Sequence, residues 1–290
     1  MGFRDILVVL DGGPASEERL RLAARIAREQ GACLSAAFLQ ADRPVKLRST
    51  PQGQQNALTL GVSSILTGAT ASVEADGCET QAEVFERRFR DCLRSMDDEG
   101  EWHCIHRPDP AALLTLAKGA DLVVIGQVNP HVGSNPSWYR PEEVVINCGR
   151  PVLMVPYIGT FGQAGRRVLI AWDGSREAVR AVNDALPILH PAKKVTLMTV
   201  RAQTRDFQPD RIPMQNMIRH LARHGIVAEA DHTLRGDNKI HDVLLSLTVD
   251  IAADLMVAGA YHRSPLREAL IGGVSRGLLH HMTVPVLMSH

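Results

Sequence analysis

The chain has 290 residues, with 32 basic and 32 acidic side chains, so its formal net charge is zero. This balance excludes an overall electrostatic attraction to nucleic acid or to an anionic membrane. Apolar residues make up 45% of the chain, too many for a natively disordered protein. No apolar run approaches the roughly 20 residues that span a bilayer, and the N-terminal segment lacks the order of a secretory signal, so we expect a cytoplasmic protein.

The sequence contains one pattern twice. Three blocks of the first half recur in the same order in the second: "DILVVLDGGPAS" (5–16) as "RVLIAWDGSREA" (167–178), "DLVVIGQ" (121–127) as "DLMVAGA" (254–260), and "GRPVLMVPY" (149–157) as "TVPVLMSH" (283–290). We therefore predict two copies of one domain joined by a Gly-rich linker, with bounds at 1–157, 158–166 and 167–290.

In the first copy, short apolar runs predict five strands, at 5–10, 33–39, 101–106, 121–125 and 151–155. The arginines of "RLRLAARIAR" (19–28) recur at helical spacing, which indicates the solvated face of a helix. An insertion at 41–77 follows the second strand and lengthens this copy. It is polar and contains Pro and Gly at its start, then becomes mildly apolar, and we favour a mobile surface segment over a lid or an interdomain arm.

The second copy repeats this order, with strands predicted at 167–172, 195–200, 226–232, 255–259 and 285–288. Four helices are predicted between and after them; Ser175 is the candidate N-cap of the first, and Gly225 ends the second. Continuous apolar strands are typical of a parallel sheet covered by helices on both faces. Each copy is thus predicted to be a five-stranded, doubly wound α/β unit. The last strand lies at the edge of its copy and is expected to pair with the other copy in an internal pseudo-dimer.

Ligands of open α/β sheets bind outside the carboxyl ends of the strands. In the second copy Asp173, Val200 and Gly259 end the first, second and fourth strands, so these residues are expected to border one crevice. The pair Gly272 and Gly273 precedes the last helix, which Val274 and Ser275 are expected to open. Free N–H groups at such a helix start suit an anion.

The repeated "DGS", the glycine spacing after the fourth strand, "GGVS" and the terminal "PVLM" resemble the universal stress protein family in its tandem two-domain form. The resemblance implies a Rossmann-like, adenine nucleotide α-hydrolase-like fold. It also implies a stress-response regulator that binds ATP, with which Mg²⁺ can be bound. Such a protein is at most a slow ATPase and can form a homodimer. Asp173 and Val200 would lie by the adenosine, and the ribose and phosphates would lie along Gly259, Gly272, Gly273, Val274 and Ser275.

The family motif, Gly-x2-Gly-x9-Gly-(Ser/Thr), is incomplete here. Gly259 and Gly272 fill its first and third glycines, whereas His262 replaces the second and Gly273 replaces the Ser/Thr. The imidazole of His262 either fills the phosphate space or donates a hydrogen bond to a phosphate. The alternative to nucleotide binding is therefore a nucleotide-free scaffold that acts through an unidentified protein partner, and a third hypothesis is a lipid-like ligand sheltered by the insertion.

The first copy lacks the glycine pair, because Trp138 and Tyr139 stand at the corresponding positions. We expect these aromatics to close its crevice and Asp11 to form only a turn before Gly12 and Gly13. The twelve histidines show no zinc-ligand spacing. No catalytic motif is present, so neither a metal site nor a catalytic residue is assigned.

Overall fold

The computed structural model describes residues 2–40, 80–106, 109–129, 138–201, 214–260 and 273–290. The insertion 41–77, His262 and Gly272 lie outside the described residues, so the predictions made for them stay predictions. The first half contains β1 (Asp5–Leu10), α1 (Ser16–Gln30), β2 (Cys33–Leu39), α2 (Gln81–Met96), β3 (Trp102–Ile105), α3 (Pro110–Gly119), β4 (Leu122–Gly126), α4 (Pro141–Asn147) and β5 (Val152–Val155).

The second half repeats the pattern with β6 (Arg167–Ala171), α5 (Arg176–Leu189), β7 (Lys194–Arg201), α6 (Met214–Arg223), β8 (Ala228–Leu234), α7 (Ile240–Asp250), β9 (Leu255–Gly259), α8 (Gly273–His281) and β10 (Val286–Ser289). The strand bounds lie within two residues of those predicted. The predicted N-cap is also present, because the Ser175 hydroxyl accepts a hydrogen bond from the Ala178 amide at 3.1 Å.

All described strands belong to one ten-stranded sheet in the order β3-β2-β1-β4-β5-β10-β9-β6-β7-β8. Every pair of neighbouring strands is parallel except β5 and β10, which pair antiparallel through Leu153 and Leu287. Each half therefore has the doubly wound order that the sequence predicted, and the last strand pairs with the other copy as expected. Because β8 ends the sheet, its side chains are largely exposed.

The core has one layer on each face of the sheet. Alternate strand residues divide between the layers, so that Val8 faces α1, α2, α5 and α6, whereas Leu7 and Val9 face α3, α4, α7 and α8. Both layers run from one half into the other. The division of the chain at 158–166 therefore stays a proposal. No helix among the described residues is both long and apolar enough to cross a membrane.

The segment between the halves is bound to both of them. The Phe161 amide donates to the Glu18 carboxylate at 2.5 Å, and the Gly165 amide donates to Asp254 at 2.8 Å. Phe161 is itself buried in the core layer. Side-chain burial and hydrogen bonds thus anchor a stretch whose glycines indicated a linker.

Candidate functional site

A cavity of about 200 Å³ lies at the carboxyl ends of the strands in the second half. The described residues that line it come from the ends of β6, β7 and β9, the first turn of α5, the first two turns of α7 and the first turns of α8. They are Ala171, Trp172, Asp173, Ser175, Glu177, Met198, Val200, Ile240, Leu244, Ala258, Gly259, Gly273, Val274, Ser275 and Leu278. Six of the eight residues predicted for the site are therefore brought together, and the other two, His262 and Gly272, are not described.

Asp173 follows β6 in a tight turn. Its carboxylate accepts a hydrogen bond from the Ser175 amide at 2.9 Å, and Gly174 between them has a φ of +75°, which favours glycine. The Asp173 side chain is exposed at the mouth of the cavity, whereas Val200 of β7 is half-buried in its wall. The repeated "DG" sequence thus builds a turn that leaves a carboxylate beside the cavity.

Gly259 ends β9 directly beneath the first turn of α5. A side chain at this position would place its Cβ 2.5 Å from the Ala178 amide nitrogen and 2.7 Å from the Glu177 carbonyl carbon. This close packing of helix on strand is sufficient to require glycine. That Gly259 also admits a ligand stays a prediction, although the residue does border the cavity.

Helix α8 begins at Gly273, one residue before the start expected from the sequence. Its first turn lines the cavity through Gly273, Val274 and Ser275, and Ser275 is buried. The first N–H groups of a helix have no partner within the helix, and the helix dipole places partial positive charge there. The cavity therefore has one wall suited to an anion.

The inner wall of the cavity is apolar and was not predicted. Met198, Leu244 and Leu278 form part of it, together with Trp172. Leu244 belongs to α7, and its helical period marks it as buried without indicating that it borders a ligand site. About 200 Å³ is less than the roughly 300–1,000 Å³ of most ligand pockets, but an apolar cavity of about 150 Å³ already admits benzene. The described cavity is therefore large enough for a small flat ring.

Glu177 is a second acidic residue of the site that the sequence analysis missed. Its side chain is 9% exposed, and the Arg176 Nε lies 3.8 Å from the Glu177 Oε1. Together with Asp173 it gives the described lining two carboxylates and no basic side chain. The sequence could have indicated Glu177, because it lies two residues after the N-cap Ser175. The first turn of α5 is therefore at the same edge of the sheet as the ends of the strands.

The crevice of the first half is filled by Arg19, which corrects the expectation that the α1 arginines lie on a solvated face. Arg19 is 1% exposed; its Nη1 donates to the Val9 carbonyl at 2.5 Å, and its Nη2 lies 3.3 Å from the Asp11 carboxylate. A Cβ on Gly126, the counterpart of Gly259, would lie 2.1 Å from that Nη2. The guanidinium thus occupies space that a glycine leaves open at the end of β4.

Beside the ion pair, the described residues of this half leave little free space. The remaining cavity measures about 10 Å³, about enough for one water molecule. Tyr139 is buried, and it packs in the same core layer that contains Met198 and Leu244 of the second-half cavity. Asp11 forms the expected turn, since it accepts from the Gly13 amide at 3.0 Å, and it also balances the buried arginine.

The surroundings of Asp11 stabilise its ionised carboxylate. Burial opposes ionisation, but the Arg19 guanidinium, with hydrogen bonds from the Ser16 hydroxyl and the Gly13 amide, holds the pKa of Asp11 below its ordinary value. Among the described residues, no group of three or more His, Cys, Asp or Glu side chains could hold a metal ion.

Among known protein families, a match was found for the second half of the chain. Residues 165–290 match the model of the universal stress protein family. No curated protein sequence matches the chain.

Solved structures match the chain over nearly its whole length. A universal stress protein from Archaeoglobus fulgidus DSM 4304 is 13% identical, with a TM-score of 0.63, covering 98% of this chain and 97% of that chain. A putative universal stress protein from Pseudomonas aeruginosa UCBPP-PA14 is 15% identical, with a TM-score of 0.58. The match covers 99% of this chain and 93% of that chain. At these identities the likeness establishes the fold of the whole chain.

A shorter structure has a nucleotide in its description. It is a universal stress protein family protein from Arabidopsis thaliana with AMP bound, 19% identical, with a TM-score of 0.30, covering 41% of this chain and 87% of that chain. The bound AMP belongs to the description of the Arabidopsis thaliana protein.

Proposed function

We propose that this chain, whose residues 165–290 match the model of the universal stress protein family, binds an adenine nucleotide in its second half. The observation that carries the proposal is the cavity of about 200 Å³, where the ends of three strands meet the first turn of α8. The adenosine would occupy the apolar inner part beside Asp173 and Val200. The phosphates would lie outside it, along Gly273, Val274 and Ser275.

The lining fits an adenosine phosphate in two respects. The apolar side chains Met198, Leu244 and Leu278 match the faces of a nucleobase, and a helix N-terminus matches an anion. The two carboxylates can accept hydrogen bonds from the amino group or the ribose hydroxyls. If the ligand is ATP, Mg²⁺ would arrive with it, because this ion usually binds through phosphates and one or two carboxylates.

The first half would contribute no second nucleotide site. Its crevice is filled by the Arg19 and Asp11 ion pair, and about 10 Å³ remain. This observation favours a scaffold role for the first half, which would present the nucleotide state of the second half to a protein partner. In this proposal the chain is a cytoplasmic stress-response regulator.

Isothermal titration of the full chain with ATP, AMP, adenosine and GTP tests the proposal. We expect micromolar binding of ATP by the wild type and loss of binding in Ala171→Phe, because Ala171 lines the cavity and a phenyl ring would fill it. Val179→Phe is the matched control, since Val179 is 38% exposed on α5 and does not line the cavity.

A His262→Gly variant, which restores the second glycine of the family motif, separates the remaining outcomes. Binding only after this change would mean that the His262 side chain closes the site. Absence of binding by both the wild type and His262→Gly would refute the proposal and favour the nucleotide-free scaffold.

A further inference from the structure

Gln127 connects the first half to α8 of the second half. It follows β4, it is 5% exposed, and its Nε2 donates to the carbonyl oxygens of Leu279 at 2.8 Å and His280 at 3.0 Å. Its Oε1 accepts from the Tyr157 amide at 3.3 Å. The side-chain amide therefore has partners on both of its atoms, and its orientation is set by them.

The carbonyls that Gln127 binds belong to the last turn of the helix whose first turn lines the candidate cavity. The last carbonyls of a helix have no partner within it, so a side-chain donor at this end satisfies groups that would otherwise be buried unpaired. Leu278 and Leu279 are 1% and 5% exposed, whereas the side chains of His280 and His281 are exposed, so this end of α8 is buried on one face. Nine helical residues span roughly 13 Å, so one rigid element joins Gln127 to the cavity.

The repeat provides no equivalent glutamine in the second half. In the repeated block "DLVVIGQ" and "DLMVAGA", the position of Gln127 is occupied by Ala260 in the second half. Alanine has no side-chain donor for the other copy's helix. Gln127 also borders the small crevice that Arg19 fills, so its side chain lies between the closed crevice and α8.

We propose that Gln127 is a positioning residue, supplied by the first half, which aligns α8 for the phosphates of a nucleotide bound in the second half. This inference rests on the proposed function. Hydrogen bonds from α8 to a phosphate depend on the orientation of its first turn, and that orientation depends on where its last turn is held. The adenosine part of the cavity is formed mainly by strand ends and α7, and α8 contributes only Leu278 to its described lining. Loss of the Gln127 donors therefore weakens binding of phosphates more than binding of adenosine.

The test compares two variants with one control. Gln127→Met keeps the side-chain volume and removes both donors. Gln127→Glu keeps an acceptor for the Tyr157 amide and places a carboxylate against the negative end of the helix dipole. Gln30→Ala is the matched control, because the Gln30 Nε2 also donates across the halves, to the Pro187 carbonyl of α5 at 3.0 Å, without touching α8.

The affinities for ATP and adenosine are measured by titration, and hydrogen exchange of the α8 amides is measured in the absence of ligand. Both Gln127 variants are expected to bind ATP about 5- to 20-fold more weakly, within the usual range of coupling between sites. Their adenosine affinity is expected to stay within about 2-fold of wild type, and α8 is expected to exchange faster. Gln30→Ala should change neither affinity.

Equal losses for ATP and adenosine, or ATP affinity unchanged in both Gln127 variants, would overturn the inference while leaving the proposed function intact. Unchanged exchange of α8 would overturn it too. Absence of any binding by the wild type would instead refute the proposed function, and the inference with it.

Discussion

Replacing Arg19 with alanine tests whether a buried ion pair closes the first half. Arg19→Ala would remove the donor to the Val9 carbonyl and leave the Asp11 carboxylate buried without its cation. Removing one partner of a buried pair typically costs about 3–5 kcal/mol, because an uncompensated charge remains. We expect a loss of free energy of unfolding in that range.

The same helix provides a matched control. Arg21 is two residues away, its side chain is 64% exposed, and it pairs with Glu17. Exposed pairs contribute about 0–1 kcal/mol, so Arg21→Ala is expected to change stability little. A third variant, Arg19→Met with Asp11→Asn, removes both charges and keeps most of the volume, and it should be more stable than Arg19→Ala.

Urea unfolding followed by circular dichroism gives the free energy of unfolding and the slope for each variant. If Arg19→Ala cost less than about 1 kcal/mol, as expected for an exposed pair, the reasoning would be refuted. It would also be refuted if the double variant were less stable than Arg19→Ala, because removal of the unpaired Asp11 charge would then bring no gain in stability.

The remaining predictions concern pH, packing and ligand charge. Because the pKa of Asp11 is lowered in the folded state, its contribution is present above the ordinary value of about 3.9 and is lost as pH falls through the folded pKa. Urea midpoints between pH 5 and 2 should therefore fall more for the wild type than for the variant lacking both charges, and parallel curves would contradict this. Gly259→Ala should cost about 1–3 kcal/mol in thermal unfolding, since its Cβ would meet the backbone of α5 at 2.5 Å. Gly119→Ala, which meets nothing within 4 Å, should be neutral or slightly stabilising, and equal melting of the two would count against the contact. Glu177→Gln should raise the affinity for ATP relative to adenosine several-fold by removing one of two negative charges in the described lining, and an unchanged ratio in titration would contradict this.

Much of the fold could be predicted because its signals are local and periodic. Short apolar runs indicated all ten described strands, and the repeated blocks indicated that both halves share one topology. Since parallel strands bring their carboxyl ends to one edge, the same reasoning brought Asp173, Val200 and Gly259 together. The edge of the sheet at which the cavity lies therefore follows from the strand order.

The tertiary structure decided which side chains fill or complete the two crevices. Helical spacing placed Arg19 with the other arginines of α1, but its long side chain reaches the space left by Gly126, more than one hundred residues away. Gln127 ends one of the repeated sequence blocks. Its side-chain amide donates to the last carbonyls of α8, and nothing in the block indicates this contact. The sequence by itself determined the strands, the repeat and the edge at which a ligand would bind, because period and polarity act between near neighbours. Only the tertiary structure decided that one crevice is closed and the other open, because this depends on long side chains meeting partners distant in the chain.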